Sequence, residues 1–185
     1  MFKYIFFLTV LQFTYSLIDT VKELNLEKYQ YRWFQIYGNK FDQTFQKYGN
    51  CITADYNLNL EGNVSVLNSE YSLTNKLEQI TGYAYYKDNI NALLNPGDLT
   101  VHLDGVPHDS PYWIINLGPE VDYLYDWAIV TDPIQLSLFV LTRDIERFNK
   151  EYEQQVLEIL EEKGFENIFK ISHTNCNYIP EPTLF

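Results

Sequence analysis

From Cys51 to Leu60 apolar and polar residues alternate without interruption, with Ile52, Ala54, Tyr56, Leu58 and Leu60 on one side and Cys51, Thr53, Asp55, Asn57 and Asn59 on the other. Successive side chains of an extended chain point to opposite faces, so this period of two predicts a half-buried strand with the first set on a core and the second in water. Glu61-Gly62-Asn63 supplies a tight turn. The next run sets Val64, Val66 and Asn68 against Asn63, Ser65 and Leu67, which predicts a hairpin with Asn63 facing solvent. Further alternating or apolar runs lie near 33–37, 80–86, 99–103, 112–117, 123–131 and 136–142, with Gly, Pro, Asn or Asp between them. About eight strands with short connections predict an all-β domain, either an up-and-down antiparallel β-barrel or a sandwich.

The later strands are apolar on both faces: Trp113, Ile115 and Leu117 stand opposite Tyr112 and Ile114, and Leu138 and Val140 opposite Phe139 and Leu141. A wall of that kind needs a cover on its outer side. Asp144 to Lys163 provides one, with Ile145, Phe148, Tyr152, Val156, Ile159 and Leu160 at helical spacing, Asp144 as N-cap and Gly164 as the stop. The acidic residues Glu151, Glu153, Glu158, Glu161 and Glu162 form the solvated face of this C-terminal helix. A short strand, Glu166 to Ile171, then leads to Cys176.

Composition narrows the class. A chain of 185 residues with 46% hydrophobic residues, 16 Tyr, 12 Phe and 3 Trp folds as one domain with a large aromatic interior. That interior either packs solid or holds something apolar. A net charge of −12 with no basic run argues against a nucleic-acid backbone or an anionic membrane surface as partner. Residues 1–16 read as a signal peptide: Lys3, an apolar run from Tyr4 to Phe13, then Thr14-Tyr15-Ser16. The run falls short of the roughly 20 residues a membrane span needs, so export leaves one domain over 17–185.

In an oxidising compartment the even pair Cys51 and Cys176 is expected to form a disulfide. Closing so long a loop removes up to about 5 kcal/mol of unfolded-state entropy. Cys51 lies on the outward face of its strand, so the bridge would pin the tail outside and leave the interior untouched. Asn63-Val64-Ser65 is an N-glycosylation acceptor, and no retention signal closes the sequence, which makes secretion the expected destination.

The motifs of catalysis are missing from the sequence. His102, His108 and His173 are scattered without metal-ligand spacing, and no phosphate loop or dinucleotide fingerprint occurs. No cofactor, metal or catalytic residue is expected, and a bridged cysteine pair leaves no thiol nucleophile.

Several motifs recur in one order: Tyr29-Gln30-Tyr31-Arg32-Trp33-Phe34, Cys51-Ile52-Thr53-Ala54-Asp55-Tyr56, Val66-Leu67-Asn68, Pro111-Tyr112-Trp113, Ala128-Ile129-Val130 and Leu141-Thr142-Arg143. The chain resembles the lipocalins, in particular the apolipoprotein D and bacterial lipocalin subgroup, from about Leu24 to Cys176. The resemblance implies an eight-stranded calyx with the C-terminal helix on its outside. It makes Trp33 and Arg143 the structural pair that closes the barrel floor, and Tyr56, Asn68 and Tyr112 the lining of a ligand pocket. Leu103 and Phe139 replace bulkier aromatics of the subgroup, which implies a reshaped pocket; Tyr29 and Asn116 are further pocket candidates. Two departures stand out: Tyr31 occupies the position of a family glycine, and Thr131-Asp132-Pro133 replaces a Thr-Asp-Tyr pattern.

The implied function is to carry or sequester a small hydrophobic ligand, such as a fatty acid, lysolipid, sterol, retinoid or pigment, with transient membrane contact. The competing reading is an extracellular interaction module whose cavity is filled. An interior of about 300 Å³ or more favours the carrier. An inward Asn68 among valines also demands a polar partner, supplied by ligand, water or a tyrosine hydroxyl. Oligomeric state is open.

Overall fold

The computed structural model describes residues 18–40 and 49–180. Residues 1–16, expected from the sequence to be a signal peptide, lie outside them. Eight strands close into an antiparallel barrel: β1 (Tyr31–Asn39), β2 (Asn50–Leu58), β3 (Val64–Tyr71), β4 (Leu77–Tyr85), β5 (Asp98–Leu103), β6 (Ser110–Leu117), β9 (Trp127–Thr131) and β10 (Leu138–Thr142). Each strand pairs with the next along the chain, β6 passes to β9, and β10 returns to β1 to complete the circle. The pair β7 (Glu120–Val121) and β8 (Leu124–Tyr125) is a small hairpin in the β6–β9 connection, and β11 (Ile168–Lys170) adds to the end of β1.

The barrel interior holds Trp33, Tyr56, Val64, Val66, Leu99, Ile114, Val130 and Leu141. A second core fills the space between the outer wall and the C-terminal helix, joining Ile36, Ile115, Trp127, Ile129, Leu138 and Val140 to Phe148, Val156 and Leu160. The two-faced strands are therefore covered as their pattern demands. That helix runs through Ile145–Arg147, a wide π turn at Phe148–Tyr152, and Glu153–Glu162. The Asp144 side chain caps it by accepting the Arg147 N–H at 2.9 Å, and Gly164 ends it with φ +79°, where a side chain would be strained.

The disulfide forms between Cys51 and Cys176, 125 residues apart, and holds the tail on the outer surface. Three details differ from the alternation pattern. Leu60 is fully exposed, because β2 ends at Leu58 and the chain turns at Asn59 through hydrogen bonds with Gly62 and Asn63. Asp55 is buried at 2% exposure on the outer face, where Arg32 pairs with both its oxygens at 2.8 Å and reaches on to the carbonyls of Ile179 and Pro180. A bulge between Ile114 and Asn116 resets the parity of β6, so Leu117 packs with the interior although its spacing predicts the outward face of Trp113 and Ile115. The final strand is shorter than the 166–171 run, and the run at 123–131 breaks at Asp126.

Candidate functional site

The barrel floor is built from one short helix and one strand. Residues Leu26–Tyr29 form the helix α1, whose N-cap Asn25 accepts the Glu27 N–H at 2.8 Å. Its last carbonyls point at the floor: Tyr29 receives the Trp33 indole N–H at 2.9 Å and Lys28 receives an Arg143 N–H at 3.5 Å. The Arg143 guanidinium lies 3.6 Å from the centre of the Trp33 ring and donates to the Arg32 carbonyl at 2.7 Å and the Tyr125 carbonyl at 3.2 Å. Cation, indole and backbone thus seal this end together.

Above the floor is a cavity of about 400 Å³. Tyr29, Tyr56, Asn68, Leu103, Tyr112 and Phe139 all line it. Asn116 does not: the β6 bulge pairs it with Ile129 of the outer core, and its buried Oδ1 has no hydrogen-bond partner among the described residues. The alternation did not single out Glu70 and Glu78, which also line the cavity and face each other across β3 and β4. Glu78 shares its parity with Ile80, so the signal was present in the sequence. Val106 enters from a loop and carries no such signal.

The polar centre of the cavity is a chain of three phenols. Tyr112 is hydrogen-bonded through its hydroxyl to that of Tyr29 at 2.9 Å and to that of Tyr56 at 3.1 Å. Tyr29 and Tyr56 stack with ring centres 5.8 Å apart, and Tyr112 meets Tyr56 edge-on. Burial pushes the Tyr56 hydroxyl up to about 12 and holds Tyr29 and Tyr112 well above the ordinary phenol value, so all three stay protonated. The Asn68 amide makes no side-chain hydrogen bond among the described residues, and so presents donors and an acceptor to the cavity. No Lys, Arg or His is among the described lining residues, and no cluster of His, Cys, Asp or Glu suited to a metal ion occurs among the described residues.

A sealed floor, a hollow apolar interior and a few uncharged handles define a calyx-type barrel. The chain belongs to the lipocalin family: the model of the lipocalin-like domain matches residues 24–174. It is 31% identical to temperature-induced lipocalin-1 of Arabidopsis thaliana over 78% of this chain and 76% of that protein. Its match to mouse apolipoprotein D is 35% identical but spans 51% of this chain and 46% of the relative. Lobster apocrustacyanin A1 has a similar fold, with a TM-score of 0.58 at 15% identity over 80% of this chain and 78% of the other. So does a biogenic amine-binding protein, with a TM-score of 0.57 at 16% identity over 83% and 84% of the two chains.

Proposed function

We propose that the protein carries or sequesters a small apolar ligand inside the barrel, held by Tyr29, Tyr56, Asn68, Leu103, Tyr112 and Phe139. The observation that carries this reading is the hollow interior of about 400 Å³, which a solid-cored interaction module would fill. Affinity comes from apolar area removed from water, roughly 25 cal/mol per Å², and the tyrosines and Asn68 set orientation. Binding without chemistry fits the site, since both cysteines are joined to each other and leave no free thiol as nucleophile.

Export through residues 1–16 accords with a disulfide, which persists in oxidising compartments. Asn63, half-buried in the turn immediately before β3, is proposed as the glycan acceptor. The exposed Leu73, Ile134 and Leu136 on turns at the open end suit brief contact with a lipid surface during loading. Native and denaturing mass spectrometry of protein secreted from its own cells tests the proposal. A small mass released on denaturation is expected. A bare native mass, together with no displacement of a fluorescent apolar probe, would overturn it.

A further inference from the structure

The three phenols carry a hydrogen-bond count that no arrangement of their protons can balance. Three neutral hydroxyls bring one proton each, and the chain Tyr29–Tyr112–Tyr56 uses two of them in its two internal bonds. Tyr112 can give its proton to one neighbour, or to neither when both donate to it. In every case one O–H remains, and among the described residues it has no other partner. The spare donor sits at the sealed end of an apolar cavity, where an unmet hydrogen bond costs most.

Charge around this donor is equally specific. The side chains lining the cavity include no described cation, and the carboxylates among them are Glu70 and Glu78. Arg143 is the cation whose field reaches Tyr29 and Tyr56. It lies behind the Trp33 ring, with N–H groups committed to the carbonyls of Arg32, Tyr125 and Lys28. Asn68 adds a second handle, also uncharged.

We infer that the cargo is an uncharged apolar molecule ending in a hydrogen-bond acceptor, a ketone, ester or alcohol oxygen, which accepts a hydrogen bond from the spare tyrosine O–H at the barrel floor. The inference rests on the carrier reading and narrows it. A carboxylate in the same place would lose its hydration for a single neutral donor, with no described cation lining the cavity to pair with it. A plain hydrocarbon would fill the space and leave the O–H unmet.

The test is displacement of a fluorescent apolar probe from the full secreted protein by three compounds of equal chain length: a methyl ketone, the alkane and the carboxylate, at a pH of about 8 where the acid is ionised. The ketone is expected to bind ~10-fold more tightly than the alkane, the value of one hydrogen bond to a desolvated donor, and more tightly than the carboxylate. In the triple variant Tyr29→Phe, Tyr56→Phe, Tyr112→Phe the ratio of ketone to alkane affinity is expected to fall to about one, while ring volume is kept. Equal binding of ketone and carboxylate by the natural protein would overturn the inference and leave the carrier standing. So would equal binding of ketone and alkane, and neither result depends on the variant folding. Displacement by none of the three would remove the carrier reading and this inference with it.

Discussion

Tyr31 has φ 71°, the left-handed backbone region that an L side chain enters at a cost and glycine enters freely. The sequence resemblance places a glycine here, and the chain keeps the glycine geometry with a tyrosine that is 49% exposed and is not among the residues packed on the inner core. The strain is therefore not offset by burial. Tyr31→Gly is expected to stabilise the protein by about 1 kcal/mol, the relief of the left-handed cost less the extra chain entropy of glycine. For a domain of this size that is a rise of roughly 2–4 °C in Tm, measurable by calorimetry, and an unchanged or lower Tm would show that the Tyr31 side chain contributes contacts of its own. Parity alone misplaces some groups and not others. Tyr56 and Asn68 face inward as alternation predicts, because nothing disturbs β2 and β3 between Thr53 and Val64. Asp55 has the parity of a solvent-facing residue, but the chain at 179–180, far off in sequence, lies over it.

At the scale of elements, the C-terminal helix and the strands were legible because each has a strong repeat. The helix α1, four residues long, and a second short helix at Asn89–Leu94 lack one, and the first of them delivers Tyr29 to the cavity. The β6 bulge is a backbone event with no residue signature, and it moves Asn116 and Leu117 to faces opposite to those their spacing predicts.

The tail beyond β11 is held to the barrel at several points. Cys176 is bonded to Cys51, Tyr71 donates to the Asn177 carbonyl at 2.8 Å, and His173 bridges inward. The His173 Nε2 is 2.7 Å from the Gln35 carbonyl and so carries the proton, which leaves Nδ1 to accept from the Tyr178 hydroxyl at 2.6 Å. Cys51→Ser is expected to cost 2–5 kcal/mol and lower Tm by several degrees, with the barrel CD spectrum retained. An unaltered midpoint would argue that the tail docks without its bridge.

Burial lowers the His173 imidazole below its ordinary 6.5, because the folded site suits the neutral ring. A depressed folded value means that this stability is present above about 6.5 and is lost as pH falls from there towards the folded value, since the unfolded chain takes up the proton first. Unfolding midpoints followed on acidification should therefore fall less steeply in His173→Gln than in the natural protein. Parallel slopes would remove His173 from the account.

At the scale of the whole molecule, one question separates a carrier from a module that only displays its surface: whether occupancy of the interior is coupled to stability. Two cores share the wall strands, one inside the barrel and one beneath the helix, and the inner one encloses the void. A ligand that enters the void binds the folded state alone, so at a hundredfold excess over Kd it stabilises by about 2.7 kcal/mol, roughly 5–10 °C in Tm. Ala84 lines the void near the end of β4 and is itself buried, so Ala84→Phe directs a ring into the space. The variant is expected to fold, because the added ring enters empty volume, and to lose the thermal shift produced by an apolar ketone. If Ala84→Phe keeps the full shift, the ligand stabilises some other surface and the interior is not the binding site. If the natural protein shows no shift at saturating ligand, the cavity is a feature of the fold alone.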